Sequence, residues 1–124
     1  MKIDAHQHFW VYEAAEYTWI GPEMNVLKRD YLPQDLEPLQ RELGIMGTVV
    51  VQARQTPEET QWLLELAHEH SFIKGVVGWV DLFDPQLSLL LETLASHPKL
   101  CGVRHVVQDE PDDEFILRED FNQG

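Results

Sequence analysis

Apolar residues fall into four short runs, separated by longer segments in which they recur every three or four positions. The runs Lys2–His6, Thr48–Ala53, Ile73–Val80 and Gly102–Val106 predict strands. The second and third are rich in valine and nearly continuous in apolarity, the pattern of strands covered on both faces in a parallel sheet. Three helices are predicted between them. Asp35 can cap a helix running to about Leu43, with Pro38 in the first turn, where its missing N–H removes no helix hydrogen bond. Leu36, Leu39 and Leu43 share one face of it, and Gly44 supplies the stop. Thr56-Pro57-Glu58-Glu59 reads as an N-cap, a proline at the first helical position and a glutamate that closes a capping box. Leu63, Leu66 and Ala67, with Trp62 as a further candidate, form the buried stripe of that helix. Asp84-Pro85 starts a third helix whose face is Leu87, Leu90, Leu91 and Leu94, ended by His97-Pro98. The order β-α-β-α-β-α-β implies parallel βαβ units with right-handed crossovers. An acidic loop follows, and a fourth helix is expected to begin within Phe115–Phe121.

The candidate chemistry sits where strands end. His6-Gln7-His8 closes the first run, and in a strand residues two apart point to one face. His6 and His8 therefore place two imidazoles side by side, a pair that suits a divalent metal or acid–base work near neutral pH. Asp4 lies on the same face but deeper, where it could fix an imidazole tautomer. Arg104 ends the fourth run, with His105 on the opposite face of a regular strand. Its guanidinium could pair with a substrate carboxylate, donate to other substrate oxygens, or form a structural ion pair with a neighbouring carboxylate. Gln52 ends the second run and could bond a ligand hydroxyl, His6 or the backbone. Trp79 ends the third and could line a pocket or pack the sheet. The connection from Phe9 to Tyr31 is long for a βα loop and carries Phe9, Trp10, Tyr12, Tyr17, Trp19 and Tyr31. Such a loop either walls a pocket or packs its own aromatics over the sheet's rim.

Composition narrows the partners. The chain has 124 residues, of which 44% are hydrophobic, so a globular fold is the expectation. Its net charge of −13 opposes contact with nucleic acid or anionic lipid. No apolar run approaches the ~20 residues of a membrane span, and Asp4 and His6 interrupt the place of a signal-peptide core. The single cysteine, Cys101, forbids an intrachain disulfide and is expected to be a buried structural thiol. These features together predict a cytoplasmic protein. Glycine-rich nucleotide loops, a nucleophile elbow and Cys-x-x-Cys are all missing from the sequence.

The start Ile3-Asp4-Ala5-His6-Gln7-His8-Phe9-Trp10 resembles the first strand of the amidohydrolase superfamily. Tyr17-Thr18-Trp19, Arg29-Asp30-Tyr31, the stretch Gly47–Ala53, the stretch Gly75–Leu82 and Gly102-Val103-Arg104-His105 narrow the likeness to the sugar-lactone hydrolases of that superfamily, the L-fuconolactonase and L-rhamnonolactonase type. The resemblance runs over essentially the whole chain. It implies the N-terminal half of a (β/α)8 barrel, because a complete barrel needs about 250 residues. On that basis residues 1–124 form a partial barrel domain. It further implies hydrolysis of a sugar lactone, with His6 and His8 polarising the carbonyl or holding a divalent metal such as zinc, while some relatives work without a metal. In the superfamily, further histidines come from the fifth and sixth strands and a key aspartate from the eighth. Two other readings stay open. One is a metal-dependent decarboxylase of the same superfamily. The other is a non-catalytic half-barrel that self-associates into a homo-oligomer through its open edges and exposed inner face.

Overall fold

The computed structural model describes residues 2–124 and shows one sheet of four parallel strands. The strands are β1 (Asp4–Gln7), β2 (Thr48–Val51), β3 (Ile73–Gly78) and β4 (Leu100–Val103), hydrogen-bonded in sequence order. Helices α1 (Pro33–Glu42), α2 (Pro57–Glu69) and α3 (Leu87–Ala95) fill the crossovers, and a short α4 (Glu119–Gln123) follows a 3₁₀ turn at Phe115–Leu117. This is the first half of an α/β barrel: each strand lies beside the one before it, and each return passes through a helix.

The core lies between the sheet and α2. Val50, Ile73 and Val76 meet Leu63, Leu64 and Ala67, with Phe9 and Phe72 closing the two ends. Removal of each such side chain from water favours folding by about 1.5–3 kcal/mol. Thr60 locks the helix to the end of β3: its Oγ1 accepts the Trp79 N–H at 2.7 Å and donates to the Trp79 carbonyl at 2.8 Å. A side chain at Gly78 would collide there, since a Cβ would stand 2.5 Å from Thr60 Cγ2.

Several local expectations are corrected. The predicted strands keep their places, but β1 begins two residues later and runs one further, to Gln7, β4 begins two residues earlier, and β2, β3 and β4 end two or three residues before their predicted ends. Helix α1 starts at Pro33 rather than after Asp35; the Asp35 carboxylate instead accepts the Leu32 N–H at 2.9 Å from within the first turn. Pro38 consequently falls inside the helix. Of the predicted α1 stripe only Leu36 packs on the core, while Leu39 and Leu43 are exposed. Helix α3 starts at Leu87, after an Asp84 carboxylate that accepts the Gln86 N–H at 2.7 Å. It buries no residue fully, and Leu94 alone of its face reaches the core. Cys101 is exposed, because β4 turns it away from the core, toward the inner face of the sheet beside Gly75, where no helix among the described residues covers it.

Candidate active site

The strand ends converge at one side of the sheet, as parallel βα units require. His6 lies in β1 and His8 one residue beyond it, and the expected juxtaposition is present. Their rings meet edge to face with centroids 4.9 Å apart, and the two Nε2 atoms are 3.2 Å apart. His8 Nδ1 lies 2.8 Å from the Val51 carbonyl, which accepts only, so Nδ1 donates and the lone pair is left on Nε2. Burial pushes the His8 pKa down against the opposing pull of the Val51 hydrogen bond, and the adjacent His6 and Arg104 charges add to the lowering. Asp4 does not set a tautomer: its Oδ1 accepts the His6 backbone N–H at 3.2 Å, which anchors the backbone at the first imidazole.

This donor set fits a metal in part. Two imidazole nitrogens at ~2.0–2.1 Å from one tetrahedral zinc lie about 3.3 Å apart, close to the separation of the two Nε2 atoms. Among the described residues, no group of three His, Cys, Asp or Glu side chains could complete such a site. The chain supplies two corners of a coordination sphere.

His8 opens into a cavity of about 430 Å³, within the range of small-molecule sites. Trp10, Trp19, Leu27, Ala53, Arg104, Val106 and Asp109 line it with His8. Of the predicted site residues, the structure thus brings His8 and Arg104 into one cavity, with His6 exposed at the ring edge of His8. Gln52 is fully buried beneath it. Its side-chain Nε2 donates to the Arg104 backbone carbonyl at 3.3 Å and its backbone carbonyl accepts from Arg104 Nη2 at 2.7 Å, so Gln52 holds the arginine in place. Trp79 is half-buried and held by Thr60, away from that lining. His105 takes the other side, paired with Glu110 at 2.6 Å and stacked on Phe115 with centroids 5.2 Å apart.

The aromatic loop both packs on itself and walls the cavity. Trp10 pairs with Tyr31 through backbone hydrogen bonds of 3.0 and 2.9 Å, and its indole N–H donates to the Arg29 carbonyl at 2.9 Å. Tyr17 and Tyr31 close on its ring at centroid distances of 5.8 and 5.1 Å.

Glu59 is a residue whose importance the sequence pattern understated. Thr56 caps α2 as expected, accepting the Glu59 N–H at 3.2 Å. The Glu59 carboxylate does not return to Thr56. Its Oε2 accepts the N–H groups of Ala53 and Arg54 at 2.9 and 2.8 Å, and its side chain is 1% exposed. It therefore ties the start of α2 to the end of β2, directly under the cavity. Burial pushes the Glu59 carboxyl up from its ordinary range, against the pull of those two amides. Burial, with the Glu59 charge second, pushes the nearby Tyr17 phenol up to about 12. The signal was present in the sequence as a glutamate three residues after a threonine, but that spacing alone does not say which amides it reaches. Trp10, Trp19 and Asp109 were legible only as loop residues, because no periodicity reports which loops meet.

A half-barrel with imidazoles at the end of its first strand and an arginine at the end of its fourth defines the class. A family model for amidohydrolases matches residues 3–120, and the chain belongs to that family. It is 48% identical over 127 residues to an L-fucono-1,5-lactonase of Burkholderia multivorans, covering 100% of this chain and 42% of that protein. It is 44% identical over 115 residues to an L-fucono-1,5-lactonase of Burkholderia ambifaria, covering 93% of this chain and 40% of the other. A zinc-bound amidohydrolase crystal structure from Burkholderia multivorans superposes with a TM-score of 0.89 at 48% identity, over 98% of this chain and 43% of that one. The chain thus spans about two-fifths of the length of the curated relatives it matches.

Proposed function

We propose that these residues are the N-terminal part of one barrel domain that hydrolyses a sugar lactone to its aldonic acid. The observation that carries this reading is the His6–His8 pair, with one ring locked by the Val51 carbonyl and opening into the cavity that holds Arg104. The two close relatives named L-fucono-1,5-lactonase support the substrate class.

Lactone opening is acyl transfer to water. A water oxygen adds to the carbonyl carbon, the ring C–O bond breaks, and the departing oxygen takes up a proton. Negative charge develops on the carbonyl oxygen, so groups that meet it there lower the barrier. His6 and His8 would hold a divalent cation such as zinc, which when bound supplies Lewis-acid polarisation of that oxygen. The Val51 carbonyl keeps the His8 lone pair aimed outward. Arg104, fixed by Gln52, donates to substrate oxygens from the same cavity. No residue of this chain is assigned as the base that activates water. The isolated chain accordingly turns over no lactone at an enzymatic rate. With one cysteine and no helix, among the described residues, long and apolar enough to cross a membrane, we place the protein in the cytoplasm.

The complete protein encoded with these residues provides the test. Acid release from L-fucono-1,5-lactone, read with a pH indicator, should fall by about 10²-fold or more in His8→Ala. Carbon dioxide release without acid from lactone would favour the decarboxylase instead. Undiminished lactone hydrolysis in His8→Ala would overturn the role of the pair.

A further inference from the structure

Two groups in the cavity have no task in the hydrolytic step. Trp19 lines the cavity, 46% exposed, and is held at right angles to the anchored Trp10 with ring centroids 6.4 Å apart and planes at 85°. Asp109, exposed, ends a 3₁₀ turn at Val107–Asp109 and lines the same cavity. Among the described residues its carboxylate makes no hydrogen bond and no ion pair, although Arg104 lines the same cavity. We propose that Trp19 and Asp109 form a hydroxyl-reading subsite that selects an uncharged polyhydroxy lactone over a lactone bearing a carboxylate. This deepens, and rests on, the lactonase reading above.

The argument is chemical. A carboxylate is an acceptor only, with room for several donors, and a polyol is a dense array of O–H donors. An indole face packs against the C–H face of a sugar ring, an apolar contact that a flat rigid side chain makes at low entropic cost. Trp19 offers that face because Trp10 meets it at right angles and is itself pinned by Tyr31 and the Arg29 carbonyl. Arg104 and Asp109, of opposite formal charge, line the same cavity. A neutral ligand rich in hydroxyls meets complementary groups in Trp19 and Asp109. A ligand carboxylate near Asp109 meets like charge, a repulsion that strengthens as water is excluded. The same repulsion acts on the aldonate that ring opening creates, so the subsite also favours departure of the product.

The test measures kcat and KM of the complete protein on two substrates, L-fucono-1,5-lactone and a sugar lactone of equal ring size that carries a carboxylate. Asp109→Asn should lower kcat/KM on the neutral lactone by ~10-fold, chiefly through KM, the effect of losing a charge-assisted hydrogen bond. It should also narrow the preference for the neutral over the carboxylated lactone by a similar factor. Trp19→Ala should raise KM for the neutral lactone, with Trp19→Phe recovering most of the loss. A preference between the two lactones that is unchanged in Asp109→Asn refutes the subsite while leaving the lactonase reading intact. Wild-type protein that hydrolyses neither lactone refutes both.

Discussion

Glu59 offers the sharpest check on the physical reading, because its substitution has an expected size and an expected pH dependence. Its carboxylate accepts two backbone amides at 2.9 and 2.8 Å from a site that is 1% exposed. Charge-assisted bonds contribute about 1.5–3 kcal/mol each. Ala53 and Arg54 are only half-buried, so their amides would regain some water, and burial of the carboxyl itself opposes the gain. Glu59→Ala should therefore cost about 2–3 kcal/mol. Glu59→Gln keeps an acceptor oxygen and isolates the charge. The folded-state pKa of Glu59 is raised above its ordinary 4.5, so the ionised form is the disfavoured one in the fold. Its stabilising contribution is complete below about pH 4.5 and is lost as pH rises through the raised value. The stability advantage of wild type over Glu59→Gln should accordingly shrink as pH rises above about 4.5. Urea unfolding followed by tryptophan fluorescence measures it, and the difference between the two proteins cancels every titration they share. An advantage that grows with pH would refute the reasoning, since the two amides would then outweigh burial.

Three further outcomes follow from the geometry. Gly78→Ala should cost about 1–3 kcal/mol, because the new methyl meets Thr60 Cγ2 at 2.5 Å and disturbs its paired bonds to Trp79; a thermal midpoint equal to wild type would contradict this. In the complete protein, His6→Ala and His8→Ala should each weaken zinc retention against a chelator by about tenfold or more, read as metal content after dialysis, and equal retention would remove the pair from the coordination sphere. The isolated 124-residue chain should self-associate, since β1 and β4 are open edges and Val103 and Cys101 lie bare on the inner face. Sedimentation showing a compact monomer would argue against that.

The sequence carried the alternation of strands and helices because two separate periods mark it. Runs such as Thr-Val-Val-Val at β2 have no polar face, and Thr56-Pro57 fixes a helix start to the residue. It carried less of what each helix buries. Leu39 and Leu43 sit on the same helical face as Leu36, yet only Leu36 reaches the core. Periodicity reports which residues share a face and not whether a neighbour is present to cover it. The same limit applies to Cys101, whose apolar surroundings in sequence suggested burial while β4 presents it to the inner face, where no helix among the described residues covers it.

The histidine pair shows where such pattern reading ends and tertiary structure takes over. Strand alternation put His6 and His8 on one side, and their rings do meet. Yet β1 stops at Gln7, so alternation alone does not hold the second imidazole. What holds it is the Val51 carbonyl, 43 positions away in the chain and available because β2 ends just there, freeing that oxygen from the ladder. The segment just past that point is held by Glu59, which takes the Ala53 and Arg54 amides, and by Gln52, which binds Arg104. The orientation of the His8 lone pair and the placement of Arg104 thus depend on one short segment, residues 51–54, clamped from α2 on one side and from β4 on the other. A substitution at Glu59 should for that reason disturb His8 and Arg104 together, although it touches neither imidazole.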